Sequence, residues 1–580
     1  MPITPHPLTR DLKALPVPDL SSTLEAYIHA LEAVLDETEL AEAKAIVADF
    51  AQSQAPRLDE ALRQRAATRE AEGTNWLSDE WYTSYLATRG PLTLTTNVGF
   101  QLALPSEETG LDRVVDGIRR ALVVHLQAAG DDLPDYVDAR GNRITQDQWF
   151  VFGGGLRHPS AGVDEIIVAT AGTANREIGV FVDGHLYAVP VTDEAGEPIA
   201  APNLRNALET VLDAPRKQSV DFNAASLLGS ETLAEVLPDM LAQGDNGDVY
   251  KRLQEFLFTV DLIDYGVTTH ASDEERINEL TFLPRGAWTY KPLSYQFSLT
   301  DPWSAVHVEH SCQDGGTLVT AITRMQEAEI GVGADFVAKP QELRWDLDNA
   351  LTTRIEKSVA EVAGAAEKLR TRIVHVPFDQ PADLPLKFSR DASAQLMMTI
   401  AQQLTYGRVR AAYEAVDMRE FRAGRTECLR AATPEAAAFA RALVEGTAEQ
   451  AGLEAAINAH RAWVKRCKSG NGFDRHIQMM ATIDDTHAFF NDTRVTAARR
   501  DFLSTTSIGG AAQIVRYCFA PALPEGFGIA YTPLYDDTEY CVSWNAATAE
   551  QPEEFLANLT KAGELLWQFC ATLSLSLIHI

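Results

Sequence analysis

His310 and Asp314 are the residues whose types and spacing point most directly to chemistry in this chain. They form the pattern His-x-x-x-Asp-Gly, in which a neutral imidazole can take a proton from a hydroxyl or a thiol near neutral pH. The carboxylate four positions on can hold the loop or the ring in place. A chain with 13 histidines and 82 acidic residues can contain this pattern by chance, so a structural histidine explains the pattern alone equally well.

The segments on either side of His310 predict a strand, a loop and a helix. Residues 303–308 are apolar and β-branched, as in a buried strand, and residues 317–322 begin a helical pattern. We therefore expect His310 in a loop between a strand and a helix, where scaffolds often carry catalytic groups.

A second candidate for chemistry is the run of four hydroxyl side chains from Ser504 to Ser507. Such hydroxyls can donate hydrogen bonds to a carboxylate or to the oxyanion of a tetrahedral intermediate. A turn rich in serine and threonine is the simpler interpretation. Three further polar blocks are weak when taken singly: Tyr413-Glu414, Gly424-Arg425-Thr426-Glu427 and Phe473-Asp474-Arg475-His476.

Composition argues against several classes of partner and site. The formal net charge of -32 disfavours nucleic acid and anionic membranes, which both require a concentrated positive patch. Six cysteines lie far apart without a Cys-x-x-Cys pair, which suits neither a disulfide framework nor a zinc site. We expect a reducing compartment, and we expect no metal and no tightly bound cofactor.

The two ends of the chain carry further expectations. Residues 1–18 lack the apolar core of a signal peptide, and the chain has no long apolar run of membrane-spanning character, so we expect a cytoplasmic protein. Residues 574–580 match no helix cap or strand context and resemble a translated sequencing adapter. We treat them as a hypothetical non-native tail, which resequencing of the locus would test.

The order of the predicted elements indicates an α/β or α+β layered fold. Apolar residues recur at helical spacing over 24–69, with a break near 36–39. Residues 341–369, which bridge to the second half of the chain, are also predicted to form a helix. Residues 148–152 read as a strand, and 165–170 with 178–182 read as a hairpin. Strands mixed with helices without strict alternation place the chain in this class. The aromatic residues between Trp76 and Tyr85 indicate either a ligand wall or, more commonly, packing between helices.

Taken together and in this order, the polar blocks resemble the choline/carnitine acyltransferase family. The resemblance covers residues 15–570 and rests on Leu15-Pro16-Val17-Pro18, Asn75-Trp76-Leu77, Glu309-His310 with Asp314-Gly315, Tyr413-Glu414, Gly424-Arg425-Thr426-Glu427, Phe473-Asp474-Arg475-His476, Leu503-Ser504-Thr505 and the segment 524–531. It implies two chloramphenicol-acetyltransferase-like domains with the active-site tunnel at their interface. The expected divisions are a helical lead-in over 15–87 that packs on the C-terminal half, a domain carrying the histidine over 88–350 and a second domain over 351–573.

The resemblance also implies a mechanism and a site. His310 is the expected general base, which deprotonates the acceptor hydroxyl for direct attack on a thioester in a ternary complex. Asp314 is expected to orient, and Thr506 is expected to hold the oxyanion in place of the family's usual serine. Carnitine is favoured over choline by matches to the residues that hold its carboxylate and its trimethylammonium group, which are Tyr413, Thr426, Arg475, Ser504 and Phe519.

The donor side departs from the family. Gln380 and Leu384 stand at about the places of two lysines that face the phosphates of coenzyme A in carnitine enzymes. Lys387, Arg390 and Asp391 are the remaining candidates for binding coenzyme A. An acyl group on the phosphopantetheine arm of a carrier protein is the alternative donor. Tyr517 lies near the position that blocks the acyl pocket of short-chain members, so we expect short or medium chains.

Other interpretations remain open at this point. They are choline as the acceptor, a condensation-type enzyme of the same superfamily, and a non-catalytic homologue that binds carnitine or acyl groups. The expected partners are small molecules, and the chain is expected to be a monomer.

Overall fold

The computed structural model describes residues 9, 11–138, 140–216, 220–264, 271–384, 386 and 388–578. Its strands are β1 (Val98–Leu102), β2 (Leu156–His158), β3 (Glu165–Ile167), β4 (Glu177–Val182), β5 (His185–Pro190), β6 (Thr259–Ile263), β7 (Leu293–Ser298), β8 (Ser304–Val308), β9 (Gln341–Leu343), β10 (Leu369–Pro377), β11 (Ala412–Asp417), β12 (Thr426–Arg430), β13 (Leu503–Thr506), β14 (Ile514–Phe519), β15 (Phe527–Pro533) and β16 (Asp537–Asn545).

The α-helices are α1 (Leu20–Glu32), α2 (Glu37–Gln52), α3 (Ala55–Ala71), α4 (Ser78–Leu86), α5 (Gly110–Ala129), α6 (Ala201–Asp213), α7 (Ser230–Leu241), α8 (Asn246–Glu255), α9 (Asp273–Phe282), α10 (Gly315–Glu327), α11 (Asn349–Ala366), α12 (Arg390–Tyr406), α13 (Pro434–Glu445), α14 (Gln450–Lys468), α15 (Asp474–Ala481), α16 (Ala488–Asn491), α17 (Thr493–Thr496) and α18 (Pro552–Ile578). Short 3₁₀ helices lie at Leu92–Leu94, Trp149–Gly153, Ala224–Leu227 and Ala497–Arg499.

Two large mixed sheets form the framework. Sheet A has eight strands in the order β14-β1-β8-β7-β6-β4-β5-β9, and sheet B has six in the order β10-β16-β15-β13-β11-β12. These sheets and their covering helices confirm the predicted α/β class. The arrangement as two chloramphenicol-acetyltransferase-like domains stays a prediction.

Sheet A takes one edge strand from the second half of the chain. β14 pairs antiparallel with β1, with Phe519 opposite Val98 and Tyr517 opposite Phe100. Along its other edge β1 pairs antiparallel with β8, with Val98 opposite Val308. Residues from β14 are therefore placed two strands away from the segment that leads into His310.

The first four helices share an apolar core with sheet B. Buried side chains of α1 to α4, such as Leu31, Phe50 and Trp81, belong to the same cluster as Ile529 of β15 and Leu559 of α18. This packing fits the amphipathic spacing of residues 24–69. The predicted domain boundaries themselves stay a prediction.

Several local predictions were correct and others were wrong. β8, the loop at His310 and α10 confirm the predicted strand, loop and helix. Residues 149–153 form a 3₁₀ helix instead of a strand, because a short apolar run of this length does not distinguish strand from buried helix.

The predicted hairpin of residues 165–170 with 178–182 was also wrong. β4 pairs with β5 across a turn at Asp183 and Gly184, whose φ angles of 49° and 79° suit an Asp-Gly hairpin turn, and β3 pairs with β2 instead. The bridge predicted as one helix holds the short strand β9 before α11 begins.

α18 continues to Ile578, so the backbone of most of the hypothetical tail is helical. Across the described residues, none of the helices combines the length and apolar character that a membrane crossing requires.

Candidate active site

A cavity of about 590 Å³ has walls from both sheets and from the loop after β8. Seven of the predicted site residues line it: His310, Asp314, Tyr413, Thr426, Ser504, Thr506 and Phe519. These residues come from segments more than 200 positions apart in the chain, so the fold gathers what the sequence separates.

His310 faces this cavity, and its imidazole packs against the ring of Tyr85 from α4. The ring centroids are 5.7 Å apart and the ring planes differ by 9°. Burial lowers the pKa of His310 from its ordinary value of 6.5, and the Asp314 carboxylate opposes only part of that shift. The imidazole is therefore neutral at pH 7, which is the form that can accept a proton.

Asp314 is held by a guanidinium. Arg425 donates from Nε and Nη2 to the two carboxylate oxygens at 2.6 and 3.0 Å, and Gln148 donates its amide at 2.9 Å. Burial acts to raise the pKa of Asp314, but Arg425 outweighs it and holds that pKa below the usual value. Asp314 therefore holds a negative charge within electrostatic reach of His310, and its orienting role stays a prediction.

Arg425 also fixes the backbone of the histidine loop. Its Nη1 donates to the carbonyl of Ser311 at 2.9 Å, and its Nη2 lies 3.4 Å from the carbonyl of His310. One buried side chain thus holds both Asp314 and the peptide groups next to the imidazole. A bidentate arginine suits this task because its donors have a fixed planar geometry.

A second buried arginine supports the loop from the other side. Arg157 is 1% exposed and donates to Asp164 at 2.7 Å and to Glu309 at 3.2 Å. Its Nη2 donates to the carbonyl of Tyr85 at 3.0 Å. Arg157 therefore joins the residue before His310 to the tyrosine that packs on the imidazole.

The residues predicted to hold a carboxylate form one group. Arg475 donates from Nη2 to the hydroxyl of Tyr413 at 3.0 Å and lies 3.4 Å from the hydroxyl of Thr426. Its Nε donates to the carbonyl of Thr426 at 3.0 Å, and the guanidinium lies 4.5 Å from the centre of the Trp81 ring. The site thus presents a fixed positive charge beside two hydroxyl groups.

The hydroxyl run lies on β13 at the cavity wall. Ser504 and Thr506 are partly exposed while Thr505 is buried, which is the alternation of a strand. The hydroxyl of Thr505 donates to the carbonyl of Tyr413 at 2.7 Å and ties β13 to β11. Tyr517 lines the cavity nearby and donates to the carbonyl of Thr506 at 2.7 Å.

The structure gives the predicted coenzyme A residues other contacts. Arg390 donates to the carbonyls of Leu534 and Tyr535, and Asp391 accepts hydrogen bonds from His460 at 3.0 Å and Tyr531 at 2.6 Å. Lys387 lies outside the described residues. The roles of these three residues in binding the donor stay predictions.

Sequence reasoning missed the contacts that Tyr85, Arg157 and Arg425 make around His310 and Asp314. Tyr85 belongs to the aromatic cluster for which a ligand wall and helix packing were both considered. In the structure Tyr85 lines the cavity, whereas Trp76 and Trp81 are buried in the core. Arg425 directly precedes Thr426 in the motif Gly424-Arg425-Thr426-Glu427. A basic residue within this motif was a signal for a partner of Asp314. Arg157 left no such signal.

The comparisons with known proteins agree with one another. The family model for choline/carnitine O-acyltransferases matches residues 15–561. Human carnitine O-acetyltransferase is 25% identical over 94% of this chain and 91% of its own length. Carnitine O-palmitoyltransferase 2 of Bos taurus is 24% identical over 95% and 91%, and human choline O-acetyltransferase is 23% identical over 93% and 76%. The chain therefore belongs to the choline/carnitine O-acyltransferase family and is an acyltransferase.

Proposed function

We propose that this acyltransferase moves a short or medium acyl group reversibly between coenzyme A and the hydroxyl of L-carnitine. The observation that carries the proposal is that Tyr413 and Thr426 line the His310 cavity and that Arg475, which does not itself line it, contacts the hydroxyls of both. A carboxylate placed there would gain a fixed positive partner and two hydroxyl donors. Carnitine has that carboxylate and choline does not.

His310 supplies the base for the transfer step. The neutral imidazole takes the proton of the acceptor hydroxyl, the oxygen attacks the thioester carbonyl, and the C–O bond forms as the C–S bond breaks. The imidazolium then returns its proton to the leaving thiolate. Asp314, held by Arg425, stabilises the imidazolium by its negative charge.

Thr506 is the proposed donor to the oxyanion. It lies on the same cavity wall as Ser504, whose hydroxyl is available to the acceptor, and its backbone is held by Tyr517. A hydroxyl placed at the developing negative charge stabilises the transition state without changing its own protonation. Phe519, on β14 of sheet A, also lines the cavity and offers an aromatic face for the trimethylammonium group.

The acyl group is proposed to be short or medium. Tyr517 is 2% exposed, lines the cavity and stacks on Phe100 with ring centroids 5.3 Å apart, so it closes that part of the wall with a rigid side chain. A carrier-bound acyl donor remains the second candidate. Gln380 and Leu384 provide no charge for phosphates, and Arg390 is already bonded to backbone carbonyls.

Acyl transfer from acetyl-, octanoyl- and palmitoyl-coenzyme A to L-carnitine and to choline, followed by release of free thiol, tests the proposal. We expect transfer to carnitine with the shorter donors. Equal transfer to choline would refute the acceptor assignment. Equal rates with acyl-pantetheine and acyl-coenzyme A would favour the carrier-bound donor.

A further inference from the structure

Glu427 is a buried carboxylate next to the proposed carboxylate site. It follows Thr426 on β12 and is 6% exposed. Its Oε1 accepts hydrogen bonds from the backbone N–H of Cys428 at 2.7 Å and of Arg475 at 3.3 Å. Glu427 therefore holds the first turn of α15, the helix that carries Arg475. Within the described residues, no ion pair reaches this carboxylate.

Among the charges around Glu427, Arg475 is the main one that favours the ionised carboxylate. From α15, Asp474 also faces it, but Arg430 and Arg499 already neutralise Asp474 with hydrogen bonds of 2.7 and 3.0 Å. From α14, Arg466 and the thiol of Cys467 lie within electrostatic reach.

The neighbouring strand β11 presents two carboxylates that have partners of their own. On β11, Glu414 is bonded to Tyr531 and Asp417 is bonded to Arg419. Gly472 packs so closely on the Glu427 carboxyl that a Cβ at that position would lie 2.4 Å from Cδ. Gly472 therefore packs tightly against one side of this carboxylate.

We propose that Glu427 takes up one proton from solvent when the carboxylate of the acceptor binds to Arg475. This inference rests on the proposed function, because it requires an acceptor that carries a carboxylate. A bound carboxylate neutralises Arg475 and adds a second negative charge to a buried region, which disfavours an ionised Glu427. Proton uptake relieves that repulsion and leaves the Arg475 charge to the acceptor.

The pKa of Glu427 in the free protein places the proton uptake near neutral pH. Burial raises the pKa of Glu427 to about 7, and Arg475 limits the rise. When a carboxylate neutralises Arg475, that limit is removed and the pKa rises further. Binding above pH 7 therefore consumes protons, and acceptor affinity falls as the pH rises from the pKa of the free protein to that of the complex.

Titration calorimetry of the full chain with L-carnitine, without donor, tests the coupling. Measurements at pH 8 in two buffers with different ionisation enthalpies give the number of protons taken up. We expect an uptake that approaches one proton, and a Kd that rises by up to about tenfold per pH unit between pH 7 and 9. Choline has no carboxylate and should show no uptake.

Glu427→Gln separates the titration from the structural role, because its amide oxygen can still accept the two backbone N–H groups. The variant should bind L-carnitine with a pH-independent Kd and no proton uptake. Glu177→Gln, outside the cavity at the Arg252 pair, should keep the proton uptake of the unchanged protein. Binding without proton uptake in the unchanged protein overturns this inference alone. Absence of carnitine binding at every pH overturns the proposed acceptor as well.

Discussion

The imidazole of His310 and the ring of Tyr85 lie face to face, with planes 9° apart and centroids separated by 5.7 Å. The tyrosine comes from a helix near the start of the chain, and the histidine comes from the loop after β8, an interior strand of sheet A. Arg157 bonds to the backbone of Tyr85 and to the carboxylate of Glu309, so both partners are anchored to one buried side chain. The orientation of the base therefore depends on packing between distant segments.

Tyr85→Ala should lower kcat by roughly 2- to 12-fold, since a ring pair contributes about 0.5–1.5 kcal/mol beyond its buried area. Tyr85→Phe keeps the ring and should retain near-normal kcat. Steady-state kinetics at saturating carnitine and donor measure both variants. Equal losses in the two variants would instead assign the effect to the hydroxyl.

Activity should fall on the acid side at a pH below 6.5. The pKa of His310 is lowered by burial, and only the neutral imidazole can accept a proton, so activity is lost as the pH falls through that lowered pKa. A profile of kcat against pH from 5 to 8 measures it. A midpoint above 6.5 would contradict the assigned environment.

His310→Ala should lower kcat by about 10²- to 10⁴-fold in a protein that remains folded.

Arg425→Met should be strongly destabilising, by about 3–5 kcal/mol, because it leaves the buried Asp314 carboxylate unpaired. Asp314→Asn combined with Arg425→Met should cost less than the sum of the two single changes, since the buried charge is then absent. Urea unfolding of the four proteins gives the coupling free energy. Additive losses would show that the pair does not interact.

Arg475→Ala should raise the KM for L-carnitine by roughly 30- to 160-fold, which corresponds to about 2–3 kcal/mol for a charge-assisted contact. The KM for the acyl donor should change little, because Arg475 contacts Tyr413 and Thr426 on the acceptor side. Thr505→Val is the comparison variant for Arg475→Ala. It removes the hydrogen bond from the Thr505 hydroxyl that ties β13 to β11. Equal effects of Arg475→Ala on both substrates would contradict the assignment.

The sequence by itself determined the features that local pattern controls. The β-branched run before His310 and the helical spacing after it specify β8 and α10, because side-chain periodicity follows directly from backbone geometry. The α/β class and the order of the polar blocks were also available at this level. The strand predicted at residues 148–152 was wrong, because an apolar run this short has no periodicity that separates a strand from a helix.

Only the tertiary structure decided which distant groups meet. The partner of Asp314 is Arg425, 111 positions away, and the edge partner of β1 is β14 from the second half of the chain. The sequence could suggest Arg390 as a residue that binds the acyl donor, yet its guanidinium donates to backbone carbonyls near Leu534. Such pairings depend on packing and on the desolvation of charges in a shared core, which no local period encodes.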